Sequence, residues 1–396
     1  MQLKCFFVKR CSWPSTAILV SMPGNSGKRR KTHHVETVLV DSSDSELEVT
    51  FLPATPLRRR SQQAGLACGI SSREYRNMKR FRIPGLFLQI LACLVAMTGW
   101  AEMIYDGGEW MCGLGQIEAA LTADDLLAFG YDIERDGTCM NFLDCAGFVF
   151  ATQKSRQLKT RHVCHWDTVC SSWIWMSRRT SMRTYIDPLG NTRNEKTCDG
   201  NIMVARMIVL SLYHLAKFGV WLLEQPGSSL MRFHPGFEYL EKASAYMRRL
   251  RGDTGDIDDL PSWMAAFGGK TAKRSLLSST HKEVLFPLHR TLSVAQRKEL
   301  KATSVVHERI VVEDGVMKHK VTGKKDLLKE TQQYPYQYGV EVSKAYKRWL
   351  SEQKPLLFEE SSDSDYDDAS PDWPEADLEP VVRVLCKQVG FVPCMI

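Results

Sequence analysis

The sequence predicts a Rossmann-like α/β domain, with a mostly parallel sheet, flanking helices and disordered tails. Three observations carry that expectation. Between residues 103 and 275, apolar runs of strand length alternate with runs of helical period. Several apolar runs end in polar residues, as in "AFGYDIERD" (128–136) and "VWLLEQPGSS" (220–229). A glycine-bearing turn, "CGLGQ" (112–116), leads straight into the helix-like "IEAALTADDLL". In such sheets the residues that follow the strands lie along one edge, where ligands bind.

The chain has 396 residues, 44% hydrophobic and 25% charged, enough for one large domain with tails. Its net charge of +6 permits an anionic partner without requiring one. The twelve cysteines include no CxxC pair, which leaves free thiols in a reducing compartment as the simplest reading. "HVCHW" places His162, Cys164 and His165 close together. Only 162 and 164 share a strand face, and no second ligand pair is visible, so no metal site is expected.

Four segments follow from composition. Residues 1–77 carry basic clusters, "GKRRKTHH" and "PLRRRSQQ", and are expected to be disordered. Within them, Val38, Leu39 and Val40 form a short β-forming run with an acidic, serine-rich flank. That run is similar to a SUMO-interacting motif, able to add to a partner's sheet edge. With the basic clusters it favours a nuclear address. Residues 78–103 form a hydrophobic helix whose charge-free stretch, 83–101, admits two main readings. One is a buried lead-in helix and the other is a membrane span. Read from Met78, the segment also resembles a signal peptide, with Gly99 and Ala101 around a cleavage point. Residues 104–350 form the α/β domain. Residues 351–396 form an acidic, mostly disordered tail.

Inside the domain, "NFLD" (141–144) repeats the strand-then-acid shape of 128–136. "RHVCHWDTVCSS" reads as a strand running into a loop, and "NIMVARMIVLSLYHLAKFG" (201–219) as an amphipathic helix. Residues 305–323 read as a hairpin turning at Asp314-Gly315, and 341–353 as a helix.

The strand ends supply the candidate site. Cys112, Gly113 and Gly115 form a turn whose backbone can approach a ligand. Asp132 and Glu134 follow the second strand, where an acid can accept ribose hydroxyls. Asp144 is expected to end a third strand and to hold a base amino group. Cys170 lies in the loop "TVCSSWIWMSRRTS", with Arg178, Arg179 and Arg183 just downstream to bind phosphates or lower the thiol pKa. Trp173, Trp175 and Met176 fit core positions better than base stacking.

These motifs, in this order, resemble class I S-adenosylmethionine-dependent methyltransferases, specifically the cytosine-5 DNA methyltransferases. The resemblance spans residues 104–350 and is similar to a divergent branch in protist genomes. Cys112-Gly113-Leu114-Gly115 matches the first, glycine-rich motif. Asp132 or Glu134 matches the acid after the second strand, and Asp144 the acid of the third motif. Cys170 falls at the nucleophile of the Pro-Pro-Cys loop, and Glu224-Gln225-Pro226 at the Glu-Asn-Val motif. Lys273 and Arg274 match the basic pair of the Gln-x-Arg-x-Arg strand. "TQQYPYQYG" (331–339), Gly339 and Val342 match the closing motifs.

The resemblance implies S-adenosylmethionine as cofactor, DNA as the favoured partner, and cytosine methylation with Cys170 as nucleophile and Glu224 as the acid beside the ring nitrogen. Thr168 and Val169 replace the two loop prolines, Gln225 the asparagine, and Val340 the last asparagine. The segment 275–330 is short for a target-recognition domain. These departures leave a second expectation open, an inactive methyltransferase-fold module that binds nucleic acid or protein. A membrane-anchored protein is the third.

Overall fold

The computed structural model describes residues 70–98, 101–250, 257–302, 306–313, 316–323 and 333–353. The Val38–Val40 run, the acidic tail beyond 353 and the Asp314-Gly315 turn lie outside the described residues.

The sheet is built from β1 (Tyr105–Trp110), β2 (Ala128–Tyr131), β3 (Leu158–Trp166), β4 (Val220–Pro226), β5 (Asp258–Trp263) and β6 (Arg274–Ser279). Their order is β2-β1-β3-β4-β6-β5. The first four are parallel, and β6 runs antiparallel between β4 and β5. The fold is therefore mixed α/β with a mostly parallel six-stranded sheet. After β2 the chain crosses back to the far side of β1 to form β3, so strand order reverses between β1 and β3. That reversal is the topological switch point, beside which open α/β sheets hold ligands.

Strand alternation separates two faces. Trp110 and Trp166 pair in register and stack with ring centroids 5.0 Å apart. With Cys164, Trp221 and Leu223 they face α1 (Ser72–Arg80), α2 (Gly85–Thr98), α4 (Cys145–Gln157), α6 (Glu195–Ala216) and α7 (Gly236–Leu250). The opposite row, Val163, Val220 and Leu222, packs under α3 (Gln116–Ala123) and α10 (Tyr336–Glu352). Gly339 on α10 has room for no side chain, because a Cβ there would lie 2.6 Å from the Gln116 carbonyl oxygen. This brings α10 close to the start of α3, with Val342 buried beside it. Four shorter elements complete the fold: α5 (Arg178–Ser181), α8 (Lys282–Leu285), α9 (Val294–Ala302) and the β7–β8 hairpin (Val306–Glu313, Val316–Gly323).

Three expectations are corrected, and of the readings left open for 83–101 the buried lead-in helix is the one observed. Residues 72–77, expected to be disordered, belong to α1. Ser71 caps that helix in a reciprocal box with Glu74, and Asn77 donates to the Ala216 carbonyl on α6. The 83–101 stretch yields α2, 14 residues that span about 21 Å, short of a hydrocarbon core of about 30 Å. Phe87, Ile90, Leu91, Leu94 and Val95 are buried in the core, and no helix among the described residues is long and apolar enough to cross a membrane. α6 is not amphipathic: from Val204 to Ala216 every residue is buried, because the sheet covers one side and α1 and α7 the other. "NFLD" is no strand but a loop that ends in the N-cap of α4.

Candidate functional site

The carboxyl ends of β1, β3 and β4 bring an ionisable cluster onto the α10 face. Glu109 on β1 pairs in register with His165 on β3, and His165 with Leu222 on β4. Residues two apart on a strand share a face, so Asp167 follows His165 and Glu224 follows Leu222 onto the same side. Glu109, His165 and Glu224 are all buried.

Glu224 is the best-coordinated of these acids. Lys273 Nζ stands 3.2 Å from Oε1, the Tyr334 hydroxyl donates to Oε2 at 2.6 Å, and the Ser275 hydroxyl donates to Oε1. Burial alone would raise the Glu224 carboxyl, but Lys273 and the two hydroxyls outweigh it and hold the group below its usual range. Lys273 is raised in turn: Glu224 and Cys170 outweigh the cost of its burial.

Cys170 lies on the loop after β3, within the electrostatic reach of both. Burial, then Glu224, push its thiol up, and Lys273 offsets only part of this. The free protein therefore holds Cys170 as a thiol rather than a thiolate. Gln225 stands where the resemblance expects asparagine. Its Nε2 donates to the Thr168 carbonyl at 2.8 Å, which ties the Cys170 loop to β4.

The glycine turn sits at the β1–α3 junction. Gly113 and Gly115 have φ of 49° and 68°, a left-handed backbone that suits glycine. Asp132 Oδ2 accepts from Gly113 N–H at 2.9 Å and Oδ1 from Glu134 N–H at 2.7 Å, so Asp132 faces the turn while Glu134 is exposed. Cys112 is buried in the turn, and burial raises its thiol. Glu109 clamps the other end of the turn. Its Oε2 accepts the N–H groups of Ile117 (3.1 Å) and Glu118 (2.8 Å) at the start of α3.

Sequence reading missed Glu109, His165, Asp167 and Tyr334. Asp167 lies against His165 Nδ1, and His165 Nε2 lies 3.0 Å from the Tyr338 hydroxyl. Burial lowers His165 to about 4, which keeps it neutral. Burial also raises Glu109 and Asp167 well above the usual carboxylate range, and each raises the other or is raised by a neighbouring carboxylate. One signal was available: Glu109 precedes Gly113 by four residues, and Asp167 precedes Cys170 by three.

Other candidates fall elsewhere. Asp144 ends no strand. Its carboxylate caps α4 by accepting from Gly147 N–H at 2.6 Å, and Arg206 holds its carbonyl. Arg183 is not a phosphate ligand but a buried scaffold. It donates to the carbonyls of Ser172, Pro188 and Thr197 and to Asn201 Oδ1, and lies 3.3 Å over the Trp173 ring. The loop folds around that guanidinium, so no face of it is left for an anion. Arg178 and Arg179 are exposed on α5. Lys273 and Arg274 part company, with Lys273 on Glu224 and Arg274 in solvent. Trp173 is core as expected, but Trp175 and Met176 are exposed.

The fold does gather His162 and Cys164 with His214, not with His165. His162 Nε2 lies 2.9 Å from His214 Nδ1, and Cys164 Sγ 3.6 Å from His214 Nε2. The two nitrogens of His214 thus serve different neighbours, which makes a hydrogen-bonded chain rather than a three-ligand cage. Burial and Lys217 lower His162 to about 3.

Fold and site together define a doubly wound α/β domain with a carboxylate-rich cluster at its switch point. No protein-family model matches the chain, and no curated protein or solved structure matches it.

Proposed function

We propose that the chain is a class I methyltransferase-like protein that methylates cytosine C5 in nucleic acid through Cys170. The observation that carries this reading is the meeting of Cys170, Glu224 and Lys273 from three separate elements at one sheet edge. The reversed strand β6 between β4 and β5 also suits this class of sheet.

The glycine turn at the switch point, with Asp132 bound to the Gly113 N–H, is what supports S-adenosylmethionine as the cofactor; Arg135, paired with Glu118 over Gly115, would have to move for a ligand to reach the turn. When bound, the cofactor supplies an electrophilic methyl group. Cys170 Sγ, after losing its proton, would add to C6 of the cytosine and make C5 nucleophilic; once C5 carries the methyl group it would lose its own proton to water, and the C6–S bond would break to release the Cys170 thiolate. Glu224 would accept a hydrogen bond from the cytosine 4-amino group and, on taking the proton that Cys170 releases, would donate to N3 and stabilise the charge that develops there. Lys273 keeps Glu224 ionised until the base arrives.

One observation favours a second reading, a scaffold without catalysis. The Cys170 thiol is raised rather than lowered, and Glu224 is already held by Lys273, Ser275 and Tyr334. Titration of the full chain with S-adenosylmethionine by calorimetry, followed by trapping on 5-fluorocytosine DNA, separates the two. Saturable binding that weakens in Asp132→Ala, with a covalent adduct that Cys170→Ser abolishes, supports the enzyme. Folded protein without either result leaves the scaffold.

A further inference from the structure

The loop that follows Cys170 spends buried groups to hold apolar ones outward. Arg183, 1% exposed, gathers its carbonyls into a fixed knot under Trp173. On the outside of that knot stand Trp175, Tyr185 (64% exposed) and Ile186 (98% exposed). Phe233, from the turn after β4, joins them: its ring lies 4.8 Å from Tyr185, edge on. Arg178 reaches over the Tyr185 ring at 5.9 Å, and Arg179, its neighbour in sequence, is exposed. Neither arginine is in a salt bridge among the described residues. Residues 169–186 contain no acid, and two of their three arginines, Arg178 and Arg179, are exposed; the exposed Asp187 follows. The Trp173 N–H donates to the Cys170 carbonyl at 2.8 Å, so the patch begins one turn from the thiol.

We propose that this patch is a stacking platform for single-stranded nucleic acid, which leads an unpaired strand to Cys170. Exposed rings with interleaved arginines are suited to this. Every unpaired base offers a π-face to a ring, and a guanidinium can hold the intervening phosphate. In a duplex those base faces are covered by their neighbours, and only phosphates would be left to bind. A platform of this kind delivers a base that is already unstacked, without the cost of extruding it from a helix. Two exposed arginines, Arg178 and Arg179, against the single exposed acid Asp187 at the end of the stretch, leave the surface complementary to a polyanion. An aromatic patch built for a protein partner would have no such need. The proposal deepens the reading above by naming the substrate form. It rests on Cys170 facing nucleic acid, though not on methyl transfer taking place.

The test is fluorescence anisotropy of the full chain with one fluorescein-labelled oligonucleotide of mixed sequence, single-stranded and annealed to its complement. The single strand is expected to bind about tenfold more tightly. Trp175→Ala with Tyr185→Ala should remove about tenfold of that affinity and leave duplex binding nearly unchanged. Tyr185→Leu, which keeps apolar area but loses the ring, should lose affinity in the same direction. Arg178→Ala with Arg179→Ala should lower the slope of log K against log salt by about 1.4 for the single strand. Equal binding of duplex and single strand, or aromatic variants that bind the single strand like the parent, overturns the proposal. So does failure to bind either form, which leaves the patch to a protein. The 5-fluorocytosine trap reports separately on Cys170. Tight single-strand binding without trapping overturns the enzyme and keeps the platform, whereas trapping with a duplex preference does the reverse.

Discussion

Lys273 Nζ lies 3.2 Å from Glu224 Oε1 and, among the described residues, is the cation paired with that buried carboxylate. Its removal leaves Glu224 ionised with only two hydroxyls for compensation. Lys273→Met is expected to cost about 2 kcal/mol at neutral pH, below the full penalty of a broken buried pair because the lysine is partly exposed. Glu224 is held below its usual range in the folded state, so its contribution is present above the unfolded value near 4.3 and is lost as pH falls through the folded value. The gap between parent and variant should therefore narrow on acidification. Urea melts at pH 7 and pH 4 measure it, and a gap that stays constant would show that the ion pair is not its source.

The Glu109–Asp167 neighbours titrate in the opposite sense. Both are raised by burial, so the folded state retains protons that the unfolded state has released. Stability should decline as pH rises from the unfolded carboxylate value toward the folded ones, and the slope belongs to the pair. Glu109→Gln keeps an oxygen for the Ile117 and Glu118 N–H groups and removes one of the two charges. It is expected to raise stability at pH 8 by roughly 1–2 kcal/mol and to flatten the decline. A variant less stable than the parent at pH 8 would mean that the Glu109 charge itself is needed at the start of α3.

Arg183 should behave as a core residue despite its charge. Arg183→Ala strands several buried carbonyls and the Asn201 amide oxygen, at a cost of about 3–5 kcal/mol. Arg183→Lys keeps the charge but cannot fork to Ser172, Pro188 and Thr197 together, so it should recover only part of that loss. Burial already lowers the guanidinium to about 10. Thermal melts give the magnitude. Limited proteolysis should show new cuts between residues 170 and 190 in both variants. Stability equal to the parent in Arg183→Ala would contradict the scaffold role.

Much of the parallel half of the sheet was legible because β2 and β4 are apolar runs, whereas β1, "YDGGEW", was placed only by the glycine turn that follows it. β1 to β4, α3 and α6 all fall within or beside the runs that predicted them. β5 was not, for a physical reason: "DDLPSW" carries two acids and Pro261, a composition that suits only an edge strand, and β5 is the sheet's edge. The "NFLD" segment misled because Phe142 is buried beneath α4 like a strand residue, while Asp144 acts as a cap. In the site, Cys170, Glu224 and Lys273 were visible as motif positions. Glu109, His165 and Asp167 were not, since what unites them is cross-strand register, which no local pattern encodes. Arg183 and Arg178 look alike in sequence, and only the fold of the loop puts one inside and the other out.

Cys170 reactivity gives the most direct reading of the site's electrostatics. Burial and the Glu224 carboxylate both raise the thiol, and Lys273 opposes them. Alkylation by iodoacetamide requires the thiolate, so Cys170 should react slowly at pH 7 and faster as pH rises. Glu224→Gln removes the negative neighbour and frees Lys273 to act on the thiol alone. Its Cys170 should react several-fold faster than the parent's at the same pH, although the variant lacks the proposed acid for catalysis. Lys273→Met should react more slowly than the parent. The alkylated fraction of the Cys170 peptide, followed by mass spectrometry against Cys145 as the exposed internal standard, gives both rates. If the three proteins reacted at one rate, the thiol would lie outside the field of Glu224 and Lys273. The meeting of those residues would then lose its chemical meaning.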